Sequence, residues 1–239
     1  MYNHRFMITV SKEDYLKAIL EAESEGQQVI SATLAHWLSV SAPAVTMALR
    51  RLKRDGMVRV NADGVVHLTP AGREIARRLA MRHHLIERML HEIFGMDWYK
   101  VHDEAERLEH AVSADFEARL LEKLGRTGVC PHGNRMIPES PHARRRRGLT
   151  QLSAAEPGTD YSVTSVYERD RQLLEFLNSR GIRPSASVRV ANRNYDQTLT
   201  LETDAGTVPL GYNAAEQVWV EARHSSAPAK RKNTKAVKA

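Results

Sequence analysis

The chain has 239 residues, enough for one large or two modest domains, and 42% of them are hydrophobic. It has no run of about eighteen apolar residues, no apolar signal core and only one cysteine, Cys130, so we expect a soluble protein of the reducing cytoplasm with no membrane association. A formal charge of +6 and a pI near 9.5 favour a polyanionic partner, although Arg144–Arg147 and the lysines of 224–239 add charge whatever the function.

Three short helices are predicted in the first part of the chain. The first spans residues 14–22, starts near Ser11 and ends before Gly26. The second spans 31–38 and the third spans 42–54. A short turn between the last two predicts a helix-turn-helix.

A β-hairpin is predicted directly after these helices. Two β-branched runs, 56–60 and 65–68, flank a turn that contains glycine, and Thr69 then opens a long helix. A helix-turn-helix followed by a hairpin is the winged-helix arrangement, whose second helix enters a major groove of DNA. The competing interpretation is a structural three-helix bundle with a basic face. Four Arg or Lys residues within positions 50–54 favour DNA binding.

The helix over 42–54 is the predicted DNA reader. Arg and Lys supply attraction to phosphates, whereas sequence discrimination needs groups that reach base edges. Its apolar side chains can only pack on thymine methyls or sugars. The predicted DNA-contacting set is Ser41, Pro43, Ala44, Thr46, Met47, Arg50, Arg51 and Lys53.

Two later segments carry histidines and carboxylates at helical spacing. His83 and Glu87 lie one turn apart on the first. Four residues of the second share an arc of roughly 100° on a helix. These four are His102, Glu106, Glu109 and His110. A divalent metal site requires such a set, but a single His–Glu pair is more often a solvated ion pair, and spacing alone leaves the two interpretations evenly balanced.

The chain changes character after these helices. Residues 130–138 form a compact loop signal, and 141–158 read as an exposed linker. Short strands and one helix then predict a small β-barrel. The strands are expected over 161–167, 188–190, 198–202, 207–210 and 218–220, and the helix over 170–179. The basic tail over 224–239 is expected to be disordered, with only nonspecific DNA contact.

A winged helix followed by His83-x3-Glu87 and then His102-x3-Glu106-x2-Glu109-His110 resembles the DtxR/MntR family of metal-dependent transcriptional repressors, from about residue 8 to 222. The resemblance implies a homodimer whose recognition helices meet successive turns of operator DNA. It also implies an α+β fold that ends in an SH3-like, FeoA-type domain. The expected division is a winged helix-turn-helix (1–72), a helical metal-binding and dimerisation domain (73–140), a linker (141–158), the SH3-like barrel (159–223) and the tail (224–239).

The resemblance further implies two metal sites. The main site joins Asp14 to Glu106, Glu109 and His110, and a second site uses His83, Glu87 and His102, although His83 can lean toward either. Three-domain members carry a Cys-Pro-His-Gly-Asn loop, so Cys130 and His132 are candidates for the second site. The alternative is a packed thiol beside a surface histidine. Asp170 is a further candidate ligand, with a helix cap as its alternative.

The metal predicted from the resemblance is Mn²⁺, with Fe²⁺ as the alternative. Iron-sensing members have methionine where Asp14 stands and cysteine where Glu106 stands, and carboxylates make the site harder. One departure concerns Lys17, which stands where short manganese sensors carry a glutamate. It argues against a tightly bridged pair of manganese ions.

The predicted function is repression of metal-uptake genes, without catalysis or an organic substrate. No Gly-rich phosphate loop or nucleophile motif is present. The rival interpretations are a metallohydrolase, which needs an open coordination position and a substrate pocket, and a metal-independent regulator that binds an organic ligand. On the metal-dependent interpretation, clustered carboxylates repel one another by several kcal/mol until a cation joins the DNA-reading domain to the central helices.

Overall fold

The computed structural model describes residues 12–223, so the predictions for Ser11 and for the tail over 224–239 lie outside the described residues. Helices and antiparallel sheets alternate along the chain in the predicted α+β order. The helices are α1 (Lys12–Ser24), α2 (Ser31–Trp37), α3 (Ala42–Arg54), α4 (Pro70–Arg88), α5 (Val101–Leu108), α6 (Ala114–Leu124), α7 (Pro141–Arg146), α8 (Arg171–Asn178) and α9 (Tyr212–Glu216). The strands are β1 (Val58–Val60), β2 (Val66–Leu68), β3 (Leu149–Gln151), β4 (Asp160–Val166), β5 (Ser187–Arg193), β6 (Leu199–Thr203), β7 (Gly206–Leu210) and β8 (Val218–Ala222).

The N-terminal domain is a winged helix-turn-helix, as predicted. Helices α2 and α3 meet at 112°, and β1 pairs with β2 in antiparallel register. The Ser41 side chain caps α3 by accepting a hydrogen bond from the Ala44 amide, and a proline in the first turn suits the same helix start. One apolar core holds these elements around Leu16, Ile19 and Leu52, all nearly inaccessible to solvent. Helix α3 is therefore fixed relative to α1.

The central domain consists of α4, α5 and α6. Thr69 caps α4 through a hydrogen bond from the Gly72 amide. Gly72 allows close contact with the wing, because a Cβ atom there would lie 2.1 Å from the Met57 carbonyl oxygen. A single π-helical turn, Met89–Ile93, ends this long helix. Apolar residues of α4, α5 and α6 form a separate small core.

The C-terminal domain is a six-stranded antiparallel sheet in the order β3-β8-β4-β5-β6-β7, packed with α8 and α9. The structure differs from the expected linker over 141–158, because this segment forms α7 and β3, and β3 pairs with β8. Leu149 and Leu152 are buried there. The arginine run 144–147, Pro157 and Gly158 suggested a linker, but the strand partner lies some seventy residues further along the chain (Leu149 opposite Glu221).

The loop after α6 is seated against the C-terminal domain. The Val166 amide donates a hydrogen bond to the His132 carbonyl oxygen at 3.0 Å. Gly133 has a φ of +82°, and a Cβ atom there would lie 1.9 Å from the Thr164 carbonyl oxygen. Only glycine permits this close approach of the loop backbone to β4. The contact places the nearby Cys130 at the boundary between the central and C-terminal domains.

Within residues 12–223, no single helix is long and apolar enough to cross a membrane, and α2 and α3 reach the length and composition of such a span only when taken as a bent pair.

Candidate metal centre and nucleic-acid interface

The first group of potential ligands, which we call the outer cluster, comprises Asp14, Glu109 and His110. Asp14 lies in the first turn of α1, and the other two follow α5. His110 Nε2 is 2.6 Å from Asp14 Oδ1 and 3.6 Å from Glu109 Oε1. One ligand atom from each residue lies within 4.8 Å of the others. The outer cluster lines a cleft of about 360 Å³ and joins the DNA-binding domain to the central domain.

Lys17 reaches into the back of this cluster from α1. Its ammonium donates to both carboxylate oxygens of Glu109, at 2.7 and 2.9 Å, and lies 3.1 Å from His83 Nδ1. Only 4% of its side chain is exposed. Burial by itself lowers the pKa of Lys17, but the carboxylates of Glu21, Glu109 and Glu106 outweigh burial and raise it. The surrounding carboxylates therefore favour the charged form of this buried amine.

Glu106, which the resemblance implied as a ligand of the main site, lines the same cleft but lies outside the outer cluster. Its side chain is 41% exposed and accepts a hydrogen bond from Arg169 at 3.1 Å. Arg169 belongs to the C-terminal domain and also donates to Glu21 at 2.8 Å and to the Trp37 carbonyl oxygen at 3.2 Å. A single guanidinium therefore contacts all three domains. No sequence pattern distinguished Arg169 from a surface arginine.

A second group, which we call the inner cluster, is buried between α4, α5 and the C-terminal domain. Its core residues are His83, Glu87, His102 and Glu168, whose ligand atoms lie within 4.8 Å of one another. Glu87 Oε1 is 3.0 Å from His83 Nε2 and 3.1 Å from His102 Nδ1. Three of these four residues, His83, Glu87 and His102, are those that the resemblance implied for the second metal site.

The loop after α6 adds two side chains to the inner cluster. Cys130 Sγ is 3.6 Å from Glu168 Oε2 and 3.7 Å from His132 Nδ1. His132 Nδ1 also lies 3.4 Å from Glu87 Oε2. His132 is fully buried, so the alternative of a surface histidine is wrong. Burial and the nearby carboxylates of Glu87 and Glu168 raise the pKa of the Cys130 thiol well above its usual range.

Two buried polar atoms in the described part of the chain lack hydrogen-bond partners, and they bear on whether a cation fits the inner cluster. Within residues 12–223, Glu87 Oε2 and His132 Nε2 are the buried side-chain nitrogen or oxygen atoms that make no hydrogen bond. Buried polar atoms without partners are rare in folded proteins and call for an explanation. Glu87 Oε2 is an anionic oxygen within the inner cluster, and the carboxylate, imidazole and thiol groups that surround it are ligands of divalent cations, so the donor set fits such an ion.

Of the two interpretations of Asp170, ligand or helix cap, the structure shows the helix cap. Its side chain caps α8 by accepting a hydrogen bond from the Leu173 amide at 3.0 Å. Glu168, two residues earlier, instead enters the inner cluster, where it accepts from Asn134 at 2.7 Å and lies 3.2 Å from His84 Nε2. Glu168 and Asp170 are only two residues apart in the sequence, but the course of the backbone between β4 and α8 directs their side chains to different places. His84, next to a predicted ligand, was also missed.

The expected repulsion among carboxylates is largely cancelled by the protein's own cations. Burial raises the pKa of Glu109, but the hydrogen bond with His83 and the charge of Lys17 lower it to about 2. Burial and Lys17 lower the pKa of His83, but Glu87 and Glu109 raise it to about 10, so this imidazole is protonated at neutral pH. Binding of a cation through His83 therefore requires release of a proton.

The predicted DNA-reading residues all lie on the exposed side of α3 or at its start. Met47 is 49% exposed, which is unusual for a methionine in a compact domain. The hydroxyls are partly used locally, since Ser41 caps the helix and Thr46 donates to the Ala42 carbonyl oxygen at 3.1 Å. Arg50, Arg51 and Lys53 extend the same surface with positive charge.

Comparison with known proteins agrees with this architecture. Three family descriptions match successive segments: "Iron dependent repressor, N-terminal DNA binding domain" over 7–66, "Iron dependent repressor, metal binding and dimerisation domain" over 69–138, and "FeoA domain" over 150–222. The diphtheria toxin repressor of Corynebacterium diphtheriae is 32% identical over 223 residues, which cover 87% of this chain and 96% of that protein. The chain belongs to the iron-dependent repressor family. It is therefore related to metal-dependent transcriptional regulators, as its sequence predicted.

Members of the iron-dependent repressor family with different named metals resemble this chain to a similar degree. The iron-dependent repressor IdeR of Mycobacterium leprae is 31% identical, over 87% of this chain and 96% of that protein. A solved structure described as a manganese-dependent transcriptional repressor in complex with manganese is 34% identical. The structural match covers 89% of this chain and 100% of the manganese-bound repressor, with a TM-score of 0.79. Family membership therefore establishes a metal-dependent regulator and leaves the ion to the chemistry of the site.

Proposed function

We propose that this family member is a manganese-responsive repressor that binds operator DNA as a homodimer in the cytoplasm and controls genes for metal uptake. The observation that carries the proposal is the composition of the outer cluster. Asp14 comes from α1 of the DNA-binding domain, whereas Glu109 and His110 follow α5 of the central domain. A ligand shared by these residues links the two domains.

The link extends to the DNA-reading surface through the core of the N-terminal domain. Helices α1 and α3 share that core, so a contact that fixes the orientation of α1 also fixes the orientation of α3. A divalent cation bound at the outer cluster would supply positive charge to carboxylates of both domains. Asp14, Glu109 and His110 would then hold α1 against the end of α5 and narrow the range of orientations open to α3.

The donor atoms of the outer cluster support Mn²⁺. Asp14 and Glu109 offer carboxylate oxygens and His110 offers an imidazole nitrogen, with no sulfur in the set. Hard oxygen donors suit Mn²⁺ better than they suit softer metal ions. Fe²⁺ is the second candidate, because Cys130 adds a thiol to the inner cluster and related proteins are named iron-dependent.

Exposed apolar side chains on the central domain support a homodimer. Ile93, Phe94, Leu108 and Phe116 are 37–69% exposed, and all four lie between the end of α4 and the start of α6. A symmetric dimer would bury these side chains against their copies. It would also present two copies of α3 to the duplex.

A regulatory role without catalysis explains more of the chain than a metallohydrolase does. The outer cluster opens on a cleft of the size that a small substrate needs, which is the observation that favours the rival. The winged helix and its exposed basic α3 have no place in that interpretation. We therefore propose that the bound cation has a structural role.

The proposed function is tested by metal-dependent DNA binding. A duplex is first enriched from a random-sequence library with the protein and Mn²⁺, and its affinity is then measured in chelator, Mn²⁺, Fe²⁺ and Zn²⁺. We expect at least a tenfold tighter complex in Mn²⁺ than in chelator, together with a dimer in solution. Equal affinity in all conditions would contradict metal control and favour a regulator that responds to another ligand.

Substitution of Arg50 by alanine tests the position of α3 on DNA. Arg50 is exposed on α3 and is predicted to contact phosphate. We expect Arg50→Ala to weaken binding to specific and random duplexes alike and to reduce the slope of log affinity against log salt by about one. Arg146→Ala, on α7, is the matched control. An unchanged slope in Arg50→Ala would remove α3 from the interface.

A further inference from the structure

We propose that Arg169 is the positioning residue through which the C-terminal domain holds the helix-turn-helix against the central domain and so favours the orientation in which the outer cluster is assembled. The inference rests on the proposed function, because it concerns how the orientation of α3 is controlled. It gives the C-terminal domain a part in DNA binding that is separate from its contribution of Glu168 to the inner cluster.

Arg169 joins the DNA-binding domain to the central domain through one rigid group. It lies between β4 and α8, and its guanidinium donates to Glu21 Oε2 of α1 at 2.8 Å and to Glu106 Oε1 of α5 at 3.1 Å. Only 17% of its side chain is exposed. A planar guanidinium holds its donors in fixed directions, which a lysine ammonium does not. The two helices are therefore restrained relative to each other.

The third contact of Arg169 is with the helix-turn-helix itself. The guanidinium donates to the Trp37 carbonyl oxygen at 3.2 Å, and its central carbon lies 4.9 Å from the centre of the Trp37 ring. Trp37 is the last residue of α2, where carbonyl oxygens lack helical partners and accept from cationic side chains. Two residues later, Ser39 has a φ of +51°, which is uncommon for residues other than glycine. Arg169 therefore supports the start of the turn that orients α3.

Arg144 makes a second link between the C-terminal part of the chain and α1. It donates at 3.2 Å to Glu25, one turn beyond Glu21, and its guanidinium carbon lies 5.2 Å from the centre of the Trp219 ring of β8. Only 8% of its side chain is exposed. Among the described residues, the apolar cores of the N-terminal and C-terminal domains have no member in common. Contact between these domains therefore depends on polar links such as these two arginines.

These links favour the assembled outer cluster before any ion binds. Asp14 shares α1 with Glu21, and His110 follows the helix that carries Glu106, so the bridge made by Arg169 also restrains the ligands. A protein that already populates the binding orientation binds its ligand with a higher apparent affinity. Loss of Arg169 should therefore weaken Mn²⁺ binding, although an arginine is not itself a ligand.

The test compares Mn²⁺ and duplex binding by variants of the full chain. Arg169→Met removes the charge and the donors, and Arg144→Met removes the second link. Arg171→Met is the matched control, because the hydrogen bonds of Arg171 reach Asp103 of the central domain and Glu175 of its own helix. Calorimetry gives the Mn²⁺ affinity, and titration of the enriched duplex gives its affinity at limiting and at saturating Mn²⁺.

We expect Arg169→Met to weaken Mn²⁺ binding by at least about threefold and to raise by the same factor the Mn²⁺ concentration for half-maximal duplex binding. Saturating Mn²⁺ should restore duplex affinity to within about twofold of the parent, because the ion then drives the same orientation. A merely misfolded variant would not recover in this way. Arg144→Met should shift both quantities less, and Arg171→Met should match the parent. If Arg169→Met does not fold, Arg169→Lys, which loses the planar fork, gives the same comparison.

Unchanged Mn²⁺ affinity in Arg169→Met would overturn the inference, and so would an equal effect in Arg171→Met. Tighter Mn²⁺ binding would also overturn it, because the guanidinium would then be a competitor of the ion for Glu106. A loss of duplex affinity that persists at saturating Mn²⁺ would contradict it as well. Failure of the proposed function gives a different result, because duplex binding by the parent itself would then show no response to Mn²⁺.

Discussion

Replacement of Glu109 by alanine is expected to abolish the stimulation of operator binding by Mn²⁺ and to destabilise the metal-free protein. The first effect follows because Glu109 belongs to the outer cluster, and loss of a direct ligand should weaken metal binding by at least about a hundredfold. The second follows because Lys17 would keep a buried charge without its main partner. Breaking one half of a buried ion pair costs about 3–5 kcal/mol. Urea unfolding in chelator and duplex binding in Mn²⁺ measure the two effects.

Two companion variants separate these effects. Asp14→Ala should lose the response to Mn²⁺ with a smaller loss of metal-free stability, because Lys17 keeps Glu109. In the double variant Glu109→Ala/Lys17→Met no unpaired ammonium remains, so much of the stability should return while the metal response stays absent. Full Mn²⁺ stimulation in Glu109→Ala would show that the outer cluster is not the controlling site.

Replacement of Glu168 by alanine is expected to weaken metal binding at the inner cluster by at least about tenfold and to loosen the C-terminal domain. Glu168 is the acid that the C-terminal domain contributes to the inner cluster, and its carboxylate also holds His84 and Asn134 of the central domain. We expect a loss of about 3 kcal/mol in metal-free stability. Calorimetry, urea unfolding and limited proteolysis between the domains measure these changes.

The destabilisation should depend on pH in a defined direction. Burial raises the pKa of Glu168, but His84 and His132 outweigh burial and lower it, so its contribution is present above about pH 4.5 and is lost in acid. Burial lowers the pKa of His84, whereas Glu168 raises it above 6.5, so that contribution is complete below pH 6.5 and fades as the pH rises. The difference in stability between parent and Glu168→Ala should therefore be largest between about pH 4.5 and 6.5.

Asp170→Ala is the control, because Asp170 lies two residues away and is the candidate ligand that the sequence analysis named. It should cost about 1 kcal/mol through loss of the α8 cap and leave metal binding unchanged. The opposite result, with metal binding lost in Asp170→Ala and kept in Glu168→Ala, would contradict the inner cluster described above.

These expected results share one physical basis. Acidic side chains in and beside the two clusters are already paired with internal cations: Lys17 contacts Glu109, Arg169 contacts Glu106, and protonated His83 lies between Glu87 and Glu109. A metal ion therefore competes with internal cations and protons, and does not simply relieve an open cluster of repelling charges. Arg169 extends this pairing to the C-terminal domain, because it also contacts Glu21 and the Trp37 carbonyl oxygen of the DNA-binding domain.

Local sequence patterns were sufficient for much of the fold. Helix α3 begins and ends as predicted over 42–54, and the wing strands fall within the predicted runs. Helical spacing also paired His83 with Glu87 one turn apart on α4, and His83 Nε2 lies 3.0 Å from Glu87 Oε1. These features depend on contacts within a few turns or across one hairpin, where residue type and spacing largely determine geometry.

Only the tertiary structure decided which charged groups face each other. The burial of Lys17, the turn of Glu106 toward Arg169 and the choice of Glu168 over Asp170 all depend on residues more than sixty positions apart. The pairing of β3 with β8 is equally distant in sequence. Periodicity can place a side chain on one face of its own helix, but its partner is set by how separate domains pack. The sequence by itself thus determined the kinds of potential ligand available, and the packing of three domains determined which of them face one another, a lysine or an arginine.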